Sequence, residues 1–176
     1  YCKTLDKEEN AKLNFYQGKG EVMDAHGKAQ KFVLFSTKFA LKILSRSKRW
    51  YLDGTFKIVP RDYKQVYIFI GQLEDVNYPC VYMLLTSKCG ALYESAFTYL
   101  RNLLSTYSYK IQTEFAMLDY EVAPRNALKL APPDTAPKGC HPHFCKCLWT
   151  KAQGLKLIGG SPPKGATLLI AFLKML

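Results

Sequence analysis

The chain has 176 residues, 48% hydrophobic and 14% aromatic, which is enough for one domain with a real core and excludes an intrinsically disordered protein. Lys and Arg number 25 against 14 Asp and Glu. The resulting +11 suits a polyanion such as nucleic acid, because cations paired with phosphates release counterions.

The first ten residues are charged and without period, so 1–13 reads as a tail or linker. Two apolar runs, Leu13 to Tyr16 and Phe32 to Phe35, flank a Gly-, Asp- and Lys-rich stretch, which predicts a hairpin or paired edge strands. Ser36-Thr37 caps a short predicted helix whose inner face is Phe39, Ala40, Ile43 and Leu44. Three strand-like runs follow: Arg49 to Phe56, Gln65 to Gly71, and Pro79 to Thr86. The second and third are nearly continuous apolar runs, as strands covered on both faces are. Their connections, Pro60 to Lys64 and Gln72 to Tyr78, are short and polar, so the three should form an antiparallel meander.

Ala91 to Leu104 then has helical period, with Leu92, Ala96, Tyr99, Leu100 and Leu103 on one face. Glu114 to Tyr120 is a fourth predicted strand, and Val122 to Leu130 a helix with Pro124 in its first turn. Lys138 to Phe144 is a fifth strand and Cys145 to Leu155 a further helix. Gly159-Gly160-Ser161-Pro162-Pro163 signals a linker, and the apolar tail from Leu168 begins another helix. A meander followed by helix-linked strands implies an α/β fold with a mixed sheet flanked by helices, in which the fourth strand can lie parallel to the first.

Two acids in this pattern are unusual. Asp53 lies within Trp50-Tyr51-Leu52-Asp53-Gly54-Thr55-Phe56, and Asp119 ends Phe115-Ala116-Met117-Leu118. A carboxylate in a half-buried strand costs several kcal/mol unless something neutralises it. A divalent cation such as Mg²⁺ or Mn²⁺, held through oxygen ligands, would do so. The bland alternative is a strand-end aspartate that caps the next turn. Two metals about 3.5–4 Å apart, held by such acids, would activate a water or 3′-hydroxyl at a phosphodiester. That site needs a further carboxylate, and no Asp or Glu follows Asp134; Glu121, close behind Asp119, should point elsewhere.

The densest group of soft ligands is Cys140-His141-Pro142-His143-Phe144-Cys145-Lys146-Cys147. Zinc spacings need two paired clusters and there is no second, so a structural zinc is not favoured. Cys140 and His143 are instead expected at the end of the fifth strand, beside the acids. The six cysteines, Cys2, Cys80 and Cys89 being the others, are too scattered for a secreted disulfide scaffold and read as reduced thiols inside a cell. No signal peptide opens the chain, and no apolar run reaches the ~18 residues of a membrane span.

With these residues in view, a family resemblance emerges. Tyr51-Leu-Asp-Gly-Thr-Phe-Lys-Ile-Val-Pro60 resembles the Asp-Gly-Thr-Phe-Lys strand that opens the Mutator-like (MULE) transposase domain. Phe32 to Arg49 is similar to the strand and helix that precede it. Gln65 to Leu85, the 91–104 helix, Met117-Leu-Asp-Tyr-Glu121, Pro133-Asp134 and Gly139-Cys140-His-Pro-His-Phe144 leading into Cys147-Leu-Trp149 follow in family order. The resemblance covers about residues 14 to 155, and its ordered set of motifs is highly specific.

The resemblance implies an RNase H-like core that cuts and joins DNA with Mg²⁺ or Mn²⁺ through a DDE triad. Asp53 and Asp119 fall on its first and second acids, as catalytic residues and metal ligands. Cys140 and His143 fall on its Cys-x-x-His motif and would support the site. The last acid is expected past an inserted helical region and beyond Leu176, leaving the core incomplete at its C-terminus. Pro142, Pro124 and the unlike stretch 157–167 depart from the family and suggest a truncated or decayed copy; Tyr1 and the apolar end likewise read as cuts. DNA is the implied partner, the nucleus the implied location, a homo-oligomer is allowed, and no membrane is involved.

Lys38, Lys42, Arg46 and Arg49 recur at helical spacing, and Lys146 and Lys151 belong to an acid-free segment. Such stripes bind phosphate, although a solvated helix face looks the same. The reading is thus a DNA transposase core. Its rivals are a non-catalytic, transposon-derived nuclear DNA-binding or regulatory protein, and a small α/β binding module unconnected with DNA.

Overall fold

The computed structural model describes residues 14–56, 58–130 and 135–156. The expectations for the 1–13 tail, Cys2, Pro133-Asp134 and the segment from 157 onward lie outside the described residues.

Strands β1 (Tyr16–Met23) and β2 (Ala29–Ser36) form the expected hairpin, but β1 runs through the Gly-Lys-rich stretch that looked like a connection. The turn is only five residues. Asp24 closes it, its Oδ1 accepting from the N–H groups of His26 and Lys28 and its Oδ2 from Gln30 Nε2, while Gly27 takes the positive φ of 71°. Helix α1 (Lys38–Arg46) starts where expected: Thr37 Oγ1 accepts from the Ala40 N–H at 3.0 Å. Its inner face is Leu41, Ile43, Leu44 and Ser45, whereas Phe39 is exposed, so the sequence-based face was rotated toward solvent at that residue.

The meander consists of β3 (Arg49–Thr55), β4 (Gln65–Leu73) and β5 (Val76–Leu85), each antiparallel to the next. The β4–β5 connection is much tighter than expected. Leu73 pairs with Val76, and Glu74 and Asp75 turn the chain with φ of 49° and 61°. A two-residue turn of this kind usually announces itself as Asn-Gly, and Glu-Asp does not.

Helix α2 (Gly90–Thr106) leads to β6 (Phe115–Leu118), parallel to β3; α3 (Val122–Leu128) leads to β7 (Ala136–Gly139), parallel to β6. The order in the single seven-stranded sheet is β1-β2-β5-β4-β3-β6-β7. This is the mixed, helix-flanked α/β sheet that the sequence implied. The fifth strand stops earlier than expected, at Gly139. Helix α4 (His141–Gly154) begins there, with Pro142 in its first turn, where a missing N–H costs nothing.

One face of the sheet carries Phe32, Leu34, Trp50, Leu52, Tyr67, Phe69, Met83 and Leu85, all buried against α1 and α2. Trp50 ties β3 to α1 by donating from Nε1 to the Leu44 carbonyl at 2.9 Å. Tyr67, Phe69, Tyr93 and Phe97 form an edge-to-face aromatic cluster between sheet and α2. The opposite face, with Tyr51, Val66, Ile68, Ile70, Tyr82 and Leu84, is only half-buried. That asymmetry fixes which way β3 turns its alternate residues: Trp50 and Leu52 inward, Tyr51 and Asp53 outward.

Candidate active site

The carboxyl ends of β3 and β6 lie side by side. Their ladder pairs Arg49 with Phe115, Trp50 with Ala116 and Tyr51 with Met117. Continued by two residues, this register brings Asp53 level with Asp119, which follows β6 by one residue. Alternation along β3 sets Asp53 on the same side of the sheet as Tyr51, and Asp119 lies just past the end of β6.

The environment of Asp53 differs from expectation. Its side chain is 64% exposed, so it pays no large desolvation cost, and the argument that burial alone demands a counter-charge fails for it. Its Oδ1 accepts from the Gly54 N–H at 2.8 Å. Asp119 is half-buried, and its Oδ1 accepts from the Glu121 N–H at 3.0 Å, which is the turn-capping role weighed as the bland alternative. In each carboxylate Oδ2 has no hydrogen-bond partner among the described residues.

Cys140 and His143 are not on a strand. Cys140 is the N-cap of α4, and its N–H donates to the Leu118 carbonyl at 2.9 Å, beside Asp119. His143 lies in the first turn of α4, with Nε2 3.9 Å from Asp53 Oδ1 and Nδ1 buried without a hydrogen-bond partner among the described residues. The helix-start geometry, rather than a strand end, aims this histidine at the acids. Cys145 is buried, with Sγ 3.6 Å from His141 Nε2, and Cys147 is exposed.

Glu121, the N-cap of α3, turns its carboxylate to Lys88 Nζ at 3.2 Å. Lys88 also lies 4.4 Å over the Phe56 ring. Arg125 donates to the carbonyls of Asp119 and Pro137, both at 3.4 Å, and lies over Tyr120. Sequence reasoning missed Lys88 and Arg125, since neither belongs to a stripe or motif. The one available signal was the position of Lys88 between a strand and a helix start.

Near the acids, Gln65 Nε2 donates to the Tyr93 hydroxyl at 2.6 Å, while Gln65 Oε1 is buried without a hydrogen-bond partner among the described residues. Burial pushes the phenols of Tyr67 and Tyr93 well above the ordinary range. Each is raised further by Asp119 and Glu121, and Tyr67 also by Asp53. The three carboxylates therefore act on one buried corner of the core.

Among the described residues, no group of three or more His, Cys, Asp or Glu is placed to hold a metal ion. Two carboxylates with open oxygens still suit Mg²⁺, which is held through one or two carboxylates together with water and phosphate oxygens.

The basic residues divide between two places. Lys38, Lys42 and Arg46 are exposed on α1, which leads into the amino end of β3, about 13 Å along the strand from Asp53. Arg49 is not on that helix: it is the first residue of β3, donates to Gln72 Oε1 at 3.2 Å and lies over the Phe115 ring. Lys146 and Lys151 lie on α4, along an open hollow of about 630 Å³ that starts at His143. Among the described residues no helix is long and apolar enough to cross a membrane.

The profile of the MULE transposase domain matches residues 49–147, from the first residue of β3 into α4. No curated protein and no solved structure matches the chain. The matched span is more than half of the chain and contains both aspartates, so the protein belongs to the MULE transposase domain family, with a transposase-related role on DNA.

Proposed function

We propose that this chain is the catalytic core of a nuclear DNA transposase that hydrolyses and rejoins phosphodiesters with Mg²⁺ or Mn²⁺ at Asp53 and Asp119. The observation that supports it best is the parallel pairing of β3 with β6, whose register, extended by two residues, brings Asp53 level with Asp119. Each has an Oδ2 without a hydrogen-bond partner among the described residues, open to a cation. The metal, when bound, would lower the pKa of an attacking water or hydroxyl and stabilise the leaving oxygen.

The chain's own residues hold the reacting strand and the ligands. Cys140, bonded through its backbone to Leu118, fixes the start of α4 against β6. His143 then faces Asp53 and orients it, as outer-shell groups do. Lys146 and Lys151 would take backbone phosphates along α4, and Lys38, Lys42, Arg46 and Arg49 phosphates further from the acids.

The test is Mn²⁺-dependent nicking of duplex DNA. Asp53→Asn or Asp119→Asn should abolish it with folding intact; nicking that survives either change refutes the assignment. The alternative, a non-catalytic nuclear DNA-binding or regulatory protein, is favoured by the lack of a third donor among the described residues. It predicts salt-dependent duplex binding without nicking.

A further inference from the structure

The rim around Asp53 and Asp119 is electrostatically awkward for the substrate just proposed. Three carboxylates, those two and Glu121, would repel an approaching phosphodiester. Among the described residues, Arg125 and Lys88 stand against them. Arg125 is committed to the backbone carbonyls of Asp119 and Pro137. Lys88 is not so committed: of its three N–H donors, one meets Glu121, and the others have no acceptor among the described residues.

Lys88 also differs from the stripe lysines. It comes from the loop between β5 and α2, and its side chain is only 38% exposed. Its ammonium bridges the chain just beyond β3, at Phe56, to the β6–α3 turn, at Glu121. These two contacts restrict its rotamers before any ligand arrives, which lowers the entropy cost of a later contact.

We propose that Lys88 is a DNA phosphate-binding residue of this site, held ready by Glu121 and Phe56 for the backbone phosphate brought to Asp53 and Asp119. The inference rests on the reading of that site as the place where DNA is handled. In it Glu121 is a holder that competes with DNA for the ammonium. A purely structural ion pair would make the two residues equivalent; a phosphate contact makes their removal opposite in effect.

The experiment is anisotropy titration of a short random-sequence duplex over a range of salt, with the full chain. Lys88→Met keeps the stem over Phe56 and should lower the slope of log affinity against log salt by about 0.9, one phosphate contact. Lys88→Arg should keep the slope. Glu121→Gln should bind as tightly as the unaltered protein, or more tightly. Lys31→Met, which breaks the exposed pair with Glu21 on the outer hairpin, should change nothing.

An unchanged slope in Lys88→Met, or equal weakening by Lys88→Met and Glu121→Gln, overturns the proposal. Thermal melts of each variant separate misfolding from lost contact, and Lys88→Arg carries the test if the Met variant fails to fold. Nicking scored on the same samples separates the two readings. A Lys88-dependent slope without any nicking sinks catalysis but leaves the phosphate contact standing. Nicking with a Lys88-independent slope does the reverse.

Discussion

His143 and Asp53 meet at the carboxyl end of the sheet, with Nε2 of the first 3.9 Å from Oδ1 of the second. One is set by the start of α4 and the other by the outward alternation of β3, so their approach reports how α4 is docked. His143→Ala should leave the thermal midpoint within a few degrees, since the side chain is partly exposed. If the pair orients a metal-binding carboxylate, Mn²⁺ affinity should fall about 10–100-fold, as for other outer-shell partners. Manganese EPR on the purified protein checks this; unchanged affinity would remove His143 from the site.

Gly54 should resist substitution for a reason that has nothing to do with φ. A Cβ there would sit 2.9 Å from Gln65 Oε1 and 3.3 Å from the Tyr67 ring. Both neighbours are buried, and Gln65 is tethered to Tyr93. Gly54→Ala is expected to cost about 1–3 kcal/mol through overpacking, read from the urea midpoint. A shift under a few tenths would mean that this corner is looser than it looks.

Alkaline pH should loosen the core near the acids. Tyr67 and Tyr93 have raised pKa values, chiefly from burial, with Asp119 and Glu121 adding in the same direction. The folded state favours the protonated phenols, so their contribution is fully present below the ordinary value of about 10 and is lost as pH rises beyond it. Cys80, pushed by burial from 9.0 to about 11, adds the same sign between those values. The check is an ultraviolet titration of the phenols alongside near-ultraviolet dichroism. Tyr67 and Tyr93 should ionise only as the near-ultraviolet dichroism collapses. Their early, reversible ionisation would contradict the burial argument.

The two basic faces should contribute unequally to chemistry. Lys146 and Lys151 flank a hollow that begins at His143, whereas Lys38, Lys42 and Arg46 are at the far end of β3. Lys146→Ala with Lys151→Ala should lower nicking and reduce the salt slope by about two contacts. The α1 pair Lys42→Ala with Arg46→Ala should change binding with a smaller effect on nicking. Equal effects from both pairs would mean that DNA crosses the sheet rather than following α4.

Periodicity and composition by themselves determined the meander, α1 and α2, because alternation and helical spacing are local properties of the chain, while the family was legible through the resemblance of its ordered motifs. Asp53 in its apolar run and Asp119 after Phe115-Ala116-Met117-Leu118 were legible for the same reason: a carboxylate in an apolar run stands out without any coordinates. Other features were not local. The Glu74–Asp75 turn lacks its usual residues and is imposed by pairing of Leu73 with Val76. The switch from β7 to α4 at Gly139–Cys140 is set by docking against Leu118, since Lys138 to Phe144 suits a strand equally well. Only the tertiary structure decided that Asp53 is exposed and that Glu121 pairs with Lys88 from another loop. Charge pairing between segments 33 residues apart leaves no periodic trace in a sequence; it exists only once the sheet has brought their ends together.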